Sequence, residues 1–468
     1  MRKAVATDKC RRNVHMIDPA RLTRLNNNDT RRGKYVLYWM QQSQRADCNH
    51  ALEYAIREAN RLRLPVLATF GLTQRFPDAN LRHYAFMLEG LSETQHTLRT
   101  RGIQLVLRLL PPPKAAVALS RDAAMVVTDC GYLRIQKKWR ENVASRITCA
   151  MLQVESDVIV PVETASDKEE FAARTIRPKI HKHLDRFLKP LEETTPVRDS
   201  LSLKLDSLQL DDIDSTLESL RIDRSVGKAA SFKGGATQAR KLLAEFLSHK
   251  LPRYTDDRND PNADCVSHMS PYLHFGQISP LHVALQTAQS RANRRNVDAY
   301  LEELIVRREL SMNFCRYNPR YDQFDALPDW AKDTLRRHRK DPRPYLYSLD
   351  DLERAQTHDP YWNAAQNEML LTGKMHNYMR MYWGKKIVEW SPTPEDAFRH
   401  ALHLNNKYEL DGRDPNSFAG VAWCFGKHDR PWTRRPVFGT VRYMNAAGLD
   451  RKFDMNSYVH RIAAMQRL

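Results

Sequence analysis

Between residues 33 and 160, short apolar runs alternate with stretches of helical period, and this rhythm restricts the possible folds more than any other feature. YVLYWM (Tyr35 to Met40), PVLATFGL (Pro65 to Leu72), IQLVLRLL (Ile103 to Leu110) and the run from Ala123 to Asp129 have the length and composition of buried strands. Between the first two, Ala51, Tyr54, Ala55, Ala59 and Leu62 recur at helical spacing. Between the second and third, Leu81, Tyr84, Ala85, Leu88, Leu91 and Leu98 do the same, and Gly102 supplies a helix stop. Strand, helix, strand in this order predicts a doubly wound parallel sheet. No GxGxxG turn follows the first strand, and neither GxxxxGKS nor GxxxxGKT occurs, so the usual dinucleotide and P-loop functions lose their support.

From about residue 236 the pattern becomes helical, with apolar residues three and four apart in Ala239 to Leu247, Tyr300 to Phe314 and Met375 to Trp390. The expected organisation is an N-terminal extension over 1–32, flexible, and an α/β domain over 33–160. An interdomain linker with a helix over 161–235 and an all-α domain over 236–468 follow. Residues 191–225 hold nine acidic and four basic side chains and many serines, as suits a connection between domains.

The 468 residues carry 74 Lys and Arg against 56 Asp and Glu, a formal charge of +18, although the linker is acidic. The folded parts are therefore strongly basic and point to a polyanionic partner, nucleic acid before an anionic membrane. With 42% hydrophobic residues, global disorder is excluded. No apolar run approaches a membrane span, and MRKAVATDKCRR lacks the apolar core of a secretory signal, so a soluble intracellular protein is expected. The seven cysteines are scattered singly and read as free buried thiols. His181 and His183 in HKH lack neighbouring ligands and read as a solvated basic helix face, so no metal is expected.

Five of the eight tryptophans fall between Trp362 and Trp432, interleaved with arginines. A large helical core would explain them, as would a flat aromatic ligand, an electron-transfer chain or stacking on bases. Arg380 and Trp383 are three apart and share a helix face, where Asp411 in YELDGRDPN is a plausible partner for the arginine. Glu303 and Arg307 are spaced i, i+4 and by themselves read as a surface ion pair. Ser267 and Ser270 precede Pro271 at a helix start, as an ordinary N-cap or a phosphate site. The last 44 residues hold nine Lys or Arg and three Asp or Glu, and HDRPWTRR near their start suits a probe that enters DNA; a solvated basic tail is the plain alternative.

Taken in order, RNDP, MSPYLHFGQIS, NFCRYNPRYD, HDPYWNAAQNEM, GKMHNYMRMYW, LNNKYELDGRDPN and HDRPW resemble the class II cyclobutane pyrimidine dimer photolyases of the photolyase and cryptochrome superfamily. The resemblance runs from about Tyr35 to Phe453. It implies an N-terminal α/β domain and a C-terminal helical domain that buries FAD. It also implies a reaction in which reduced, anionic flavin absorbs light and passes an electron to a dimer flipped out of DNA, with no net redox change.

Carried onto this sequence, the resemblance gives Glu303 a hydrogen bond to the dimer, in place of the surface-pair reading, and sets Asn405 against the flavin's reactive ring nitrogen. Arg380 and Asp411 would pair beside the isoalloxazine, while Tyr254, Ser267, His268, Met269 and Ser270 would hold the FAD phosphates and ribose region. Trp383, Trp362 and Tyr347 would form the chain that photoreduces oxidised flavin. Met381 and Trp423 would line the dimer pocket, and Arg430, Trp432 and Arg442 would fill or brace the gap left in the duplex. Arg307 joins the DNA side at a position where some members carry tryptophan. A deazaflavin or folate antenna would occupy the N-terminal domain. The expected protein is a monomer acting on damaged DNA, cytoplasmic or nucleoid-associated in a prokaryote, nuclear or organellar in a eukaryote. A cryptochrome-like photoreceptor without repair, and a flavin-free DNA-binding protein, are the competing readings.

Overall fold

The computed structural model describes residues 17–467. Six strands form the sheet: β1 (Leu22–Arg24), β2 (Tyr35–Trp39), β3 (Val66–Gly71), β4 (Gln104–Arg108), β5 (Ala123–Asp129) and β6 (Ala150–Val154), in the order β1-β6-β5-β2-β3-β4. All pairings are parallel except that of β1 with β6, where Leu22 stands opposite Val154. The four apolar runs became β2 to β5. The two outer strands on the other side were not visible as runs: β1 is three residues long, and β6 mixes Gln153 into AMLQV.

Alternation along β2 shows why the sheet is covered on both faces. Val36 and Tyr38 enter one core with helices α1 (His50–Leu62) and α2 (Leu81–Thr100). Tyr35, Leu37 and Trp39 enter the opposite core with α3 (Pro112–Ser120) and α4 (Arg134–Ala144).

The flexible extension expected over 1–32 is corrected for residues 17–32. Arg21 is buried and donates to the carbonyls of Glu155, Val158 and Ile159 at 3.0, 3.1 and 2.7 Å, which fixes β1 to the sheet edge. Residues 1–16 lie outside the described residues. The acidic connection lies against the α/β domain, with Leu210, Leu217 and Leu220 in its core and Leu208 N–H on the Leu107 carbonyl at 2.9 Å.

The rest of the chain is helical around a core that holds Trp362, Trp383 and Trp390. Its basic end is not a solvated tail: the Met455–Met465 helix buries Met455, Tyr458 and Ile462, and Tyr458 donates to Glu368 at 2.8 Å. The two domains are tied by a buried ion pair, Arg45 to Asp157 at 2.7 Å, whose guanidinium also donates to the Gly276 carbonyl at 3.1 Å. Gly276 has φ +65°, and a Cβ there would sit 1.9 Å from the Gln42 carbonyl oxygen, so only glycine permits this approach. Among the described residues, no helix is long and apolar enough to cross a membrane.

Candidate active site

The helix Asn377–Trp390 carries Arg380, Met381 and Trp383, and its first turn is capped by His376, whose Nδ1 accepts the Tyr378 N–H at 3.3 Å. Arg380 turns towards the loop after the helix Pro394–Tyr408, the segment that reads ELDGRD. Its closest carboxylate is Glu409, at 2.9 Å, with Asp411 at 3.7 Å. The expected Arg380–Asp411 pair is thus a three-member cluster in which the missed Glu409 is the nearer partner. Glu409 was readable as an acidic residue two positions before Asp411, but nothing in its spacing marks it as buried. Its Oε1 also accepts the Met375 N–H at 3.1 Å.

Lys374 closes the cluster by donating to Ser270, whose hydroxyl lies beside Asp411. Burial pushes the Glu409 carboxyl up. Burial opposes ionisation of Asp411 too, but Arg380 and then Lys374 hold that carboxyl well below the usual carboxylate range. The two acids are therefore pushed in opposite directions, Asp411 towards its ionised form and Glu409 towards its protonated one.

Three buried atoms of this cluster have no partner: Arg380 Nε, Glu409 Oε2 and Asp411 Oδ1. Nearby, His376 Nε2 and His268 Nδ1 are equally unsatisfied. Buried polar atoms left unpaired cost about 1–3 kcal/mol each, so such a concentration marks a place built for a polar ligand. Asn405 is buried beside it and donates to Ser417 Oγ at 3.0 Å, which in turn donates to the Asp411 carbonyl at 2.8 Å.

Tyr254, Ser267, His268 and Met269 form a second group. Tyr254 packs edge-on against Tyr300 at 5.4 Å, and Ser267 lies near the Tyr300 hydroxyl. His268, at φ +55°, meets Asp264 at 2.8 Å, and Met269 is buried. The N-cap expected of Ser267 or Ser270 is not formed: the helix Ser270–His274 begins after Met269 without a side-chain cap, and the Ser270 hydroxyl serves Lys374 instead.

Residues 302–307 form a π-helical turn, and this corrects the expected Glu303–Arg307 contact. One extra residue per turn sets Arg307 opposite Glu302, at 3.1 Å, and Glu302 also binds Arg177 at 2.7 Å. Glu303 faces elsewhere, 3.0 Å from Arg258, whose guanidinium lies 5.4 Å from the Tyr254 ring centre. Its side chain is 41% exposed.

Trp362 and Trp383 stack at 6.4 Å with planes 7° apart. Trp390, missed by the sequence reading, stands 5.7 Å from Trp362 and 5.4 Å from Tyr347, and so joins them. Its distance in sequence from Tyr347 hid that role.

On the surface, Arg442 lies 5.6 Å from the Trp423 ring and 4.9 Å from Trp432, which Arg430 flanks at 5.2 Å. Trp432 is 39% exposed. Arg430, Arg434, Arg435 and Arg442 have no carboxylate partner among the described residues, and Arg430 and Arg442 flank the exposed indole while Arg435 lies over Tyr443. Met381 and Trp423 are half-buried against the tryptophan core.

A separate cleft of about 740 Å³, its open mouth included, lies past the carboxyl ends of β2 and β3. Met40, Phe70, Leu72 and Trp139 give it apolar walls, Gln41, Gln44 and Gln136 line it, and Arg413 is its one permanent charge among the described residues. Crevices outside the carboxyl ends of the strands are where open α/β sheets hold ligands. His83, a further wall residue, accepts the Asn80 N–H on Nδ1 at 3.1 Å and donates from Nε2 to the Glu409 carbonyl at 3.0 Å, with Arg413 2.8 Å from that nitrogen; burial keeps its imidazole neutral. No group of His, Cys, Asp and Glu able to hold a metal is present among the described residues.

The DNA photolyase family model matches residues 36–197. The chain is 53% identical over 454 residues to the deoxyribodipyrimidine photo-lyase of Methanothermobacter thermautotrophicus, covering 96% of this chain and 99% of that one. It is 40% identical over 435 residues to the deoxyribodipyrimidine photo-lyase of Potorous tridactylus, covering 91% and 81%. Among solved structures, a cryptochrome from Synechocystis superposes with a TM-score of 0.72 at 16% identity, over 91% of this chain and 88% of that one, a likeness of fold alone.

Proposed function

The chain belongs to the DNA photolyase family, and from that premise we propose that it is a deoxyribodipyrimidine photo-lyase that splits cyclobutane pyrimidine dimers in DNA under near-UV or blue light. The observation that carries the proposal is the buried cluster of Arg380, Glu409 and Asp411, each with an unpartnered polar atom, in a chain that also displays Glu303 and the Trp432 arginine face.

The donor set fits the polar edge of an isoalloxazine. Arg380 and Glu409 offer N–H and O–H groups, Asp411 and the amide of Asn405 offer acceptors, and Tyr254, Ser267, His268, Met269 and Ser270 surround the ribose and phosphates. Bound there, reduced anionic FAD supplies the photoexcited electron that opens the cyclobutane ring and recovers it afterwards.

The chain's own residues do the rest. Arg380 and Lys374 together outweigh the charge of Asp411, and this positive excess against the ring favours its anionic form. Met381 and Trp423 wall the pocket for the flipped bases and exclude water. Glu303, released from Arg307 by the π turn, offers its carboxyl to the pyrimidine edges, where charge develops. Trp432 fills the gap in the duplex while Arg430 and Arg442 meet phosphates, with Arg307 beside them on the same side of the chain. Trp383, Trp362, Trp390 and Tyr347 give a path by which an oxidised flavin is returned to the working state.

The finer cofactor reading is an antenna in the N-terminal cleft. Its flat apolar walls and single arginine suit an aromatic chromophore with anionic character, of the deazaflavin or folate kind. Expression in a bacterium stripped of dimer repair tests the activity: survival after ultraviolet exposure should rise only when visible light follows, and equal survival in the dark would refute the proposal.

A further inference from the structure

Beyond Trp390 the aromatic row does not simply stop. The Tyr347 N–H donates to the Trp390 carbonyl at 3.1 Å, which fixes the phenol against the indole edge. The Tyr347 hydroxyl accepts the backbone N–H of His358 at 2.9 Å and lies 2.7 Å from that residue's Nδ1. With one lone pair used by the amide, its own proton is directed at the imidazole nitrogen. The imidazole is held by stacking on Tyr345, with centres 3.6 Å apart and planes 17° apart, and it is 5.2 Å from Trp390. His358 is exposed, so its outer edge meets water.

With Tyr347 at the end of the row set out under the proposed function, we propose that His358 is its proton acceptor, so that electron and proton leave the phenol together. The step balances. An oxidised Trp390 takes one electron from Tyr347, the phenolic O–H bond breaks, and its proton forms an N–H bond on His358 Nδ1. The products are neutral Trp390, a neutral tyrosyl radical and an imidazolium. An external thiolate then returns one electron and leaves as a thiyl radical, and the imidazolium returns the proton to the phenol oxygen.

A phenol that loses an electron without its proton is a far stronger acid than an imidazolium, so an acceptor already at hydrogen-bond distance removes the costliest intermediate. Reversal needs the proton to come back as well, which holds the charge apart long enough for a thiol to act. The inference rests on the reading of the tryptophan row as the route of flavin photoreduction.

The test is transient absorption and electron paramagnetic resonance on the full-length, flavin-loaded protein after a light flash. Wild type should form a neutral tyrosyl radical, and decay of the tryptophan radical should slow about twofold in D2O. His358→Phe keeps the ring contacts and removes the base; it should lower tyrosyl yield about tenfold and abolish the isotope effect. His358→Gln keeps a hydrogen-bond acceptor without basicity and should behave like the Phe variant, whereas a merely structural histidine would be rescued by it. Tyrosyl formation at the wild-type rate in His358→Phe would overturn the relay. A wild-type protein with no tryptophan radical at all would instead overturn the row on which it stands.

Discussion

Glu302 and Arg307 meet at 3.1 Å although five residues separate them, because the backbone between them makes a π turn. In a regular helix Arg307 would cover Glu303. The extra residue and the second arginine on Glu302 leave Glu303 with Arg258 alone, and Arg258 lies over Tyr254. The turn therefore joins the residues proposed to face substrate to those proposed to face cofactor.

Glu303→Ala should lower the quantum yield of repair about tenfold or more, while affinity for dimer-containing DNA falls far less. Yield and binding are measured on the same illuminated samples. An unchanged yield would remove Glu303 from the dimer.

Trp383→Phe should block photoreduction of oxidised flavin and leave repair by chemically reduced protein largely intact. The same change strands Gln366 Oε1, which now accepts the Trp383 N–H at 2.8 Å, so unfolding free energy should drop by about 1–3 kcal/mol. Trp390→Phe should also block photoreduction, with no such stranded group. Equal loss of repair and photoreduction would mean the indoles serve only the pocket.

Burial pushes the Glu409 carboxyl up while Arg380 and Lys374 hold that of Asp411 down, so their amide variants should differ. Glu409→Gln resembles the neutral form that burial favours and should retain FAD; Asp411→Asn removes the charge that faces Arg380 and Lys374 and should weaken FAD binding about tenfold or more. Titration of stripped protein with FAD distinguishes them, and equal affinities would contradict the assignment.

Lys385 is buried, donates to the Cys424 carbonyl and lies 5.2 Å from the Trp423 ring. Burial lowers its pKa to about 8. The unfolded chain then holds this proton more firmly than the folded one, so the stability of wild type relative to Lys385→Met should rise as pH increases from about 8 to the ordinary lysine value near 10.5. Denaturant titrations of both proteins across that range give the difference; a flat or falling difference would show the ammonium is not penalised.

Arg442 lies near two indoles and has no carboxylate partner among the described residues. Arg442→Ala should weaken DNA binding and reduce the salt slope by about 1. A slope equal to wild type would place Arg442 off the phosphates.

The α/β layer was legible because β2 to β5 are continuous apolar runs separated by helices of one clear period. The outer strands were not, since their pairing depends on distant groups such as Arg21 rather than on their own pattern. In the candidate site, the motifs pointed to Arg380, Asp411, Asn405 and Glu303, but the contacts among them depended on three-dimensional geometry. A π turn changes the partner of every charge on its face without altering the sequence spacing, which is why Glu303 was set against Arg307. Glu409 and Trp390 were hidden for a related reason: burial and proximity to Arg380 or Tyr347 are set by loops and helix packing far from either residue.

The most direct measurement is the count of cyclobutane dimers in an irradiated oligonucleotide incubated with the reduced, FAD-loaded protein, in blue light and in darkness. Photo-lyase activity requires that dimers disappear in the light, with two intact pyrimidines restored for each, and persist in the dark. Stoichiometric FAD with an unchanged dimer count after illumination would contradict it.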